Sequence, residues 1–166
     1  MVELKVLSIF ESASPADTER LASVFAEVMC GGEIILLEGP IGAGKTYFTR
    51  GLARAMGIKK LPSSASFGMM RVYRGKKLRL YHFDLFRAGE EDMENIGVEE
   101  FFGSRDGVSV MEWAGAAGNL AGDTGYLKLE FELAGGDSRR IKASCLGAES
   151  ERFLKKAEIK WKKQSA

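Results

Sequence analysis

Residues 39–46 read G-P-I-G-A-G-K-T, the spacing G-x-x-x-x-G-K-T with every fixed position filled. The chemistry of that spacing is phosphate capture. Gly42 and Gly44 can take backbone angles that a side chain forbids. Successive amides then point inward and cradle phosphate oxygens. The start of a helix behind them adds a field that favours an anion. Lys45 supplies a mobile cation to the β- and γ-phosphates, and Thr46 offers a hydroxyl to Mg²⁺. Pro40 has no N–H, but it precedes the part of the loop that needs donors, so it stiffens the turn without removing a contact. The expected ligands are ATP and Mg²⁺.

A phosphate loop needs an acid on a neighbouring strand to hold the metal, directly or through water. Two residues qualify. Asp84 ends the run R-L-Y-H-F-D, and Glu112 ends V-S-V-M-E. Both follow apolar alternation, which predicts strand ends close to the phosphates. Lys45, Asp84 and Glu112 are therefore the candidate catalytic residues, and Thr46 and Glu112 the candidate metal ligands. His82, the only histidine, is either a general base or a satisfied structural residue. Trp113, directly after Glu112, either stacks on a ligand or partner or closes the core.

The elements around these residues can be read from period and punctuation. An I-I-L-L strand lies within Glu33–Glu38, and a helical pattern follows from Gly44 to Met56, stopped by Gly57. Before them come a short strand, Val6–Phe10, and a helix opened by Ser14 as N-cap with Pro15 at its first position. That helix carries Leu21, Val24, Phe25, Val28 and Met29 and ends at Gly31-Gly32. Residues 67–74 and 77–84 read as a hairpin turning at Arg74-Gly75-Lys76. Residues 90–103 form an acidic helix broken at Gly97. Residues 108–112 are an apolar strand. A second hairpin joins 126–133 to 139–145 across Gly135-Gly136-Asp137. From Glu149 to Lys163 an amphipathic helix places Phe153, Leu154, Ala157 and Trp161 on one side. The fold class is α/β, P-loop NTPase-like: a mixed, mostly parallel central sheet flanked by helices, with antiparallel hairpins. One domain over residues 1–166 is expected.

Bulk composition excludes several classes. Of 166 residues 45% are apolar and 28% charged, the balance of a folded globular chain, and net charge is +1. Bulk charge therefore points to no nucleic acid. Local charge is uneven: residues 50–87 carry ten Lys/Arg and one acid, and residues 88–112 eight acids and one Arg. These are either two solvated faces or two docking faces. Cys30 and Cys145 fit neither a metal site nor a disulfide framework and read as free thiols. No apolar run is long enough for a signal peptide or a membrane span, so the expected location is cytoplasmic. No N-K-x-D element for guanine is present.

On these residues the chain resembles the TsaE family, the ATPase component of bacterial tRNA threonylcarbamoyladenosine synthesis. The resemblance runs from about Thr18 to Trp113. It rests on an early threonine, Thr18, and on the phosphate loop itself. It rests further on the block Tyr81-His82-Phe83-Asp84-Leu85-Phe86-Arg87, on Ile96-Gly97-Val98-Glu99-Glu100-Phe101-Phe102, and on the pair Glu112-Trp113. The loop alone is generic; the H-F-D-L-x-R block followed by E-W is specific. The chain departs from the family at Pro40, where an acid is usual. It departs also at Ser64-Ala65-Ser66, where the family has S-P-T, and at Asn119–Asp123, which replaces a proline-bearing stretch.

The resemblance implies work with TsaB and TsaD in placing a threonylcarbamoyl group on the adenosine beside the anticodon, with tRNA engaged indirectly through the complex and no membrane. ATP would be hydrolysed to ADP to turn that complex over, not to form the modification bond. It implies nucleotide contacts at Thr18, Gly42, Ala43, Gly44, Lys45, Thr46, Tyr47 and Trp113. It links Thr46 and Glu112 to Mg²⁺ and Asp84 and Trp113 to activity. Two other readings stay open. A small-molecule kinase would need an acceptor pocket and usually an Arg-bearing lid, and the second half has no Arg-rich lid segment. A binding module would hold ATP without turning it over.

Overall fold

The computed structural model describes residues 4–62, 70–86, 90–113, 121 and 124–165. Ser64-Ala65-Ser66, Arg87 and most of Asn119–Asp123 lie outside the described residues.

Among the described residues seven strands form one sheet. In chain order the elements are β1 (Val6–Ser12), α1 (Pro15–Val28), β2 (Ile34–Glu38), α2 (Lys45–Ala55), β3 (Met70–Arg74) and β4 (Arg79–Asp84). Then follow α3 (Glu90–Ile96), a 3₁₀ turn (Val98–Phe101), β5 (Gly107–Glu112), β6 (Tyr126–Leu133), β7 (Arg139–Leu146) and α4 (Ala148–Ser165). The strand order is β1-β7-β6-β2-β5-β4-β3. The four inner strands β6, β2, β5 and β4 run parallel. Both flanks are antiparallel, through the β3–β4 hairpin on one side and β6–β7–β1 on the other. The mixed sheet expected from the sequence is therefore what forms, with the phosphate loop following a central strand.

Local chemistry accounts for the element ends. The Ser14 hydroxyl accepts the Asp17 amide at 3.2 Å, and Asp17 reaches back to the Ala13 amide at 3.1 Å. This is a reciprocal cap with Pro15 at the first helical position, where its missing N–H costs nothing. Gly97, at φ +67°, separates α3 from the 3₁₀ turn. β1 extends two residues beyond its expected end, because Glu11 and Ser12 still pair with Arg140 and Arg139 of β7.

β2 is buried on both faces, which is why I-I-L-L shows no alternation. Ile35 and Leu37 join a core with α1, α2 and α4; Ile34 and Leu36 join a second core with Tyr81, Phe83, Met93 and Met111. In the first core, edge-to-face contacts run from Phe10 to Phe25, Phe25 to Phe48 and Phe48 to Phe131, with ring centroids 5.7–5.8 Å apart. That chain of rings ends directly beneath the phosphate loop. Cys30 is exposed and Cys145 buried, both as free thiols; burial pushes the Cys145 thiol up to about 12. Among the described residues, no helix is long and apolar enough to cross a membrane.

Candidate functional site

The loop spans the gap between the carboxyl end of β2 and the amino end of α2. In open α/β sheets ligands bind at that end. Gly39 has φ +140°, and a Cβ there would lie 2.6 Å from the Phe131 carbonyl, so only glycine lets the loop leave β2 against β6. Gly44 caps α2 with φ +110°, and a Cβ there would touch the Phe131 ring and the Thr18 methyl. The loop thus rests on the aromatic chain from below. Within it, the Ala43 amide closes a turn onto the Pro40 carbonyl at 3.1 Å.

Strand register brings the two acids together. β4 and β5 pair in parallel with Asp84 opposite Glu112, and Leu37 of β2 pairs with Glu112 on its other side. A cleft of about 350 Å³ is lined by Ile41 to Tyr47, Asp84, Phe86, Glu112 and Trp113. Of the residues named from the sequence, Gly42, Ala43, Gly44, Lys45, Thr46, Tyr47, Asp84, Glu112 and Trp113 all border it. Thr18 does not. It lies buried behind the loop, its hydroxyl 2.8 Å from that of Ser12.

Lys45 is the centre of the cleft. Its ammonium donates to the carbonyls of Gly39 and Pro40 and lies 3.7 Å from the centroid of the Trp113 ring. Burial pulls its pKa below the usual lysine value, opposed by the carboxylates of Glu112 and Asp84. Asp84 is shifted upward, first by burial and also by the Glu112 charge, against a 3.3 Å hydrogen bond from the Phe86 amide. Glu112 is 2% exposed. The Thr49 hydroxyl holds it, donating to Oε1 at 2.9 Å while lying 3.0 Å from the Lys45 carbonyl.

Trp113 lines the cleft. Its amide donates to the Leu37 carbonyl at 3.0 Å, which extends the ladder past Glu112. Its φ then turns to +64°, a left-handed value that costs a non-glycine residue about 1–2 kcal/mol. The turn lays the indole over Lys45 and 4.9 Å from the Phe86 ring. Such strain is held where surrounding structure requires it, commonly at sites. His82 is 4% exposed, with Nε2 3.8 Å from Glu112 Oε1 and no hydrogen-bond partner for that nitrogen among the described residues. It stands behind the acid and does not border the cleft.

Sequence reasoning missed Thr49, the site role of Phe86, and Phe131 as the loop's floor. Thr49 carried a usable signal. A hydroxyl four residues after Lys45 lies one turn along the same helix face, and threonine is a weak helix former inside a helix.

A loop of this sequence between a central parallel strand and a helix, with strand-end acids facing it, defines a P-loop-type α/β protein. The family model described as "Threonylcarbamoyl adenosine biosynthesis protein TsaE" matches residues 12–141, and the chain belongs to that family. The match continues past the motifs into the second hairpin. Relatives include the tRNA threonylcarbamoyladenosine biosynthesis protein TsaE of Bacillus subtilis, 33% identical over 83% of this chain and 85% of that protein. The protein of the same description from Treponema pallidum is 40% identical over 61% of this chain and 75% of its own length. A crystal structure of YdiB from Bacillus subtilis superposes with a TM-score of 0.74 at 29% identity, covering 96% of this chain and 98% of that one.

Proposed function

We propose that this chain is the Mg-ATP-binding ATPase component that supports N⁶-threonylcarbamoyladenosine modification of tRNA, acting with TsaB and TsaD. One observation carries the ATPase reading: Lys45, Thr46, Asp84 and Glu112 border a single cleft at the carboxyl end of the sheet. The family supports the pathway, since its members are described by threonylcarbamoyladenosine biosynthesis.

The donor set fits magnesium. Thr46 and Glu112 offer hard oxygen ligands, and Glu112 has one oxygen anchored by Thr49. Among the described residues no three His, Cys, Asp or Glu side chains gather into a metal cage. Magnesium is ordinarily held by one or two protein oxygens, with phosphate and water completing the shell. When bound, it would neutralise charge on the phosphate oxygens. Lys45 would swing from its carbonyl partners to the β/γ oxygens. A cation–π contact is worth only about 0.5–2 kcal/mol, and ammonium–phosphate bonds are charge-assisted and stronger than ammonium–carbonyl ones. Asp84 stands across from Glu112, where it can orient a water.

Trp113 should therefore report nucleotide. Departure of the Lys45 ammonium changes its surroundings, so Mg-ATP should alter the intrinsic fluorescence. Trp161 packs instead on Phe10 and beneath the Arg20 guanidinium. Trp161→Phe is expected to keep most of the change, and its loss in that variant would refute the assignment.

Phosphoryl transfer needs an in-line water and charge neutralisation at the leaving oxygens. Among the described residues the cleft gathers one lysine, one threonine and two acids, and no arginine borders it. Slow hydrolysis by the chain alone is the expected result. Steady-state ATPase should rise at least severalfold when TsaB and TsaD are added, and the rise should vanish in Glu112→Ala. Turnover by the isolated chain on the order of 10 per second, with no response to those proteins, would overturn the partnership. Phosphate transfer to small alcohols in place of water would favour a kinase.

A further inference from the structure

Arg139 opens β7, ninety-odd residues after the phosphate loop, and its guanidinium is spent almost entirely on backbone carbonyls. Nε donates to the Ala43 carbonyl and Nη2 to the Gly42 carbonyl, each at 3.1 Å. Nη1 donates to the carbonyls of Gly136 and Ser138, each at 2.8 Å. Two acceptors belong to the loop and two to the turn of the β6–β7 hairpin. One planar fork therefore ties the hairpin tip to the outer face of the loop.

The geometry points to Arg139 as a positioning residue for phosphate binding, a role that rests on the phosphate-site reading above. Peptide groups are planar, and among the described residues no bond is cis. A trans peptide sets each carbonyl opposite the N–H of the next residue. Fixing the Gly42 and Ala43 carbonyls outward thus fixes the Ala43 and Gly44 amides inward. The first of these closes the turn onto Pro40. The second is left at the helix start, beside the first amides of α2, which have no carbonyl one turn back.

Charge adds to geometry. Inward-drifting carbonyls would set partial negative charge against phosphate, and the guanidinium holds two of them away. The carbonyls of Gly39 and Pro40 are held instead by Lys45, which must let go when phosphate arrives. Arg139 has no such second task, so it keeps the loop shaped through the exchange. Lysine cannot replace it, because a single ammonium is a point charge without the fork.

The test compares wild type, Arg139→Ala and Arg139→Lys in two measurements. Calorimetric titration with Mg-ADP should show binding weakened on the order of tenfold in Arg139→Ala, with Arg139→Lys between the two. Amide hydrogen exchange without nucleotide should accelerate at Ala43, whose amide is bonded to the Pro40 carbonyl, in Arg139→Ala, while β2 and β7 keep wild-type protection. Mg-ADP affinity within twofold of wild type in both variants, with loop exchange unchanged, would overturn the role. Accelerated exchange throughout β2 and β7 would overturn it too, since Arg139 would then be a general structural tie. Failure of wild type to bind Mg-ADP would instead sink the phosphate-site reading and, with it, the binding role of Arg139. Loop exchange would then decide only whether the tie itself shapes the loop.

Discussion

Lys45→Ala is expected to abolish useful Mg-ATP binding. The loop otherwise meets phosphate with neutral backbone donors, and among the described residues Lys45 is the one cation bordering the cleft. Lys45 is 5% exposed, and its ammonium is already poised on two carbonyls. Two hydrogen bonds to charged oxygens, each worth about 1.5–3 kcal/mol, amount to an affinity loss on the order of a hundredfold or more. The substitution also frees Trp113 from its cation, so the resting fluorescence should shift while the fold persists. Calorimetry decides the point: unchanged affinity in this variant would remove the loop from the account.

The second large effect separates the two acids. Glu112→Ala is expected to raise the magnesium concentration for half-maximal activity at least about tenfold, by removing a direct or water-bridged metal contact. The stability cost should be modest, because the Thr49 hydroxyl keeps the Lys45 carbonyl as an acceptor and no buried donor is orphaned. Asp84→Ala is expected to leave that magnesium dependence nearly in place and to lower turnover, on the order of a hundredfold if Asp84 places the attacking water. Asp84 is half-buried, and burial shifts its carboxyl upward. A magnesium titration of both variants tests the division. Equal metal dependence in Glu112→Ala and wild type would refute it.

Much of this arrangement was legible in the sequence because it is local. The phosphate loop is a contiguous string with a fixed spacing, and the Ser14–Asp17 cap, the Gly97 break and both hairpin turns depend on near neighbours. Asp84 and Glu112 could be named because apolar alternation ends at each of them. That they face each other across β4 and β5 depends on strand register, which the sequence does not print. The place of β6 beside β2 was hidden for the same reason, since a hairpin pattern does not say which strand it docks on. Arg139 lies in S-R-R-I-K-A, where alternation sets it on the face of the buried Ile141 and Ala143, but its partners are loop carbonyls that no side-chain motif records. His82 stayed ambiguous because its type allows catalysis, while its position behind Glu112 is a tertiary fact.

The most direct test is a calorimetric titration of the isolated wild-type chain with adenosine, ADP and ATP, each with magnesium and with a chelator. A phosphate–metal site predicts saturable one-to-one binding of ADP and ATP. It also predicts adenosine weaker by at least about a hundredfold, since the loop's amides and Lys45 recognise phosphate, and a loss of ATP affinity when magnesium is removed. Adenosine binding as tightly as ATP, or no saturable binding of ATP with magnesium present, would contradict it.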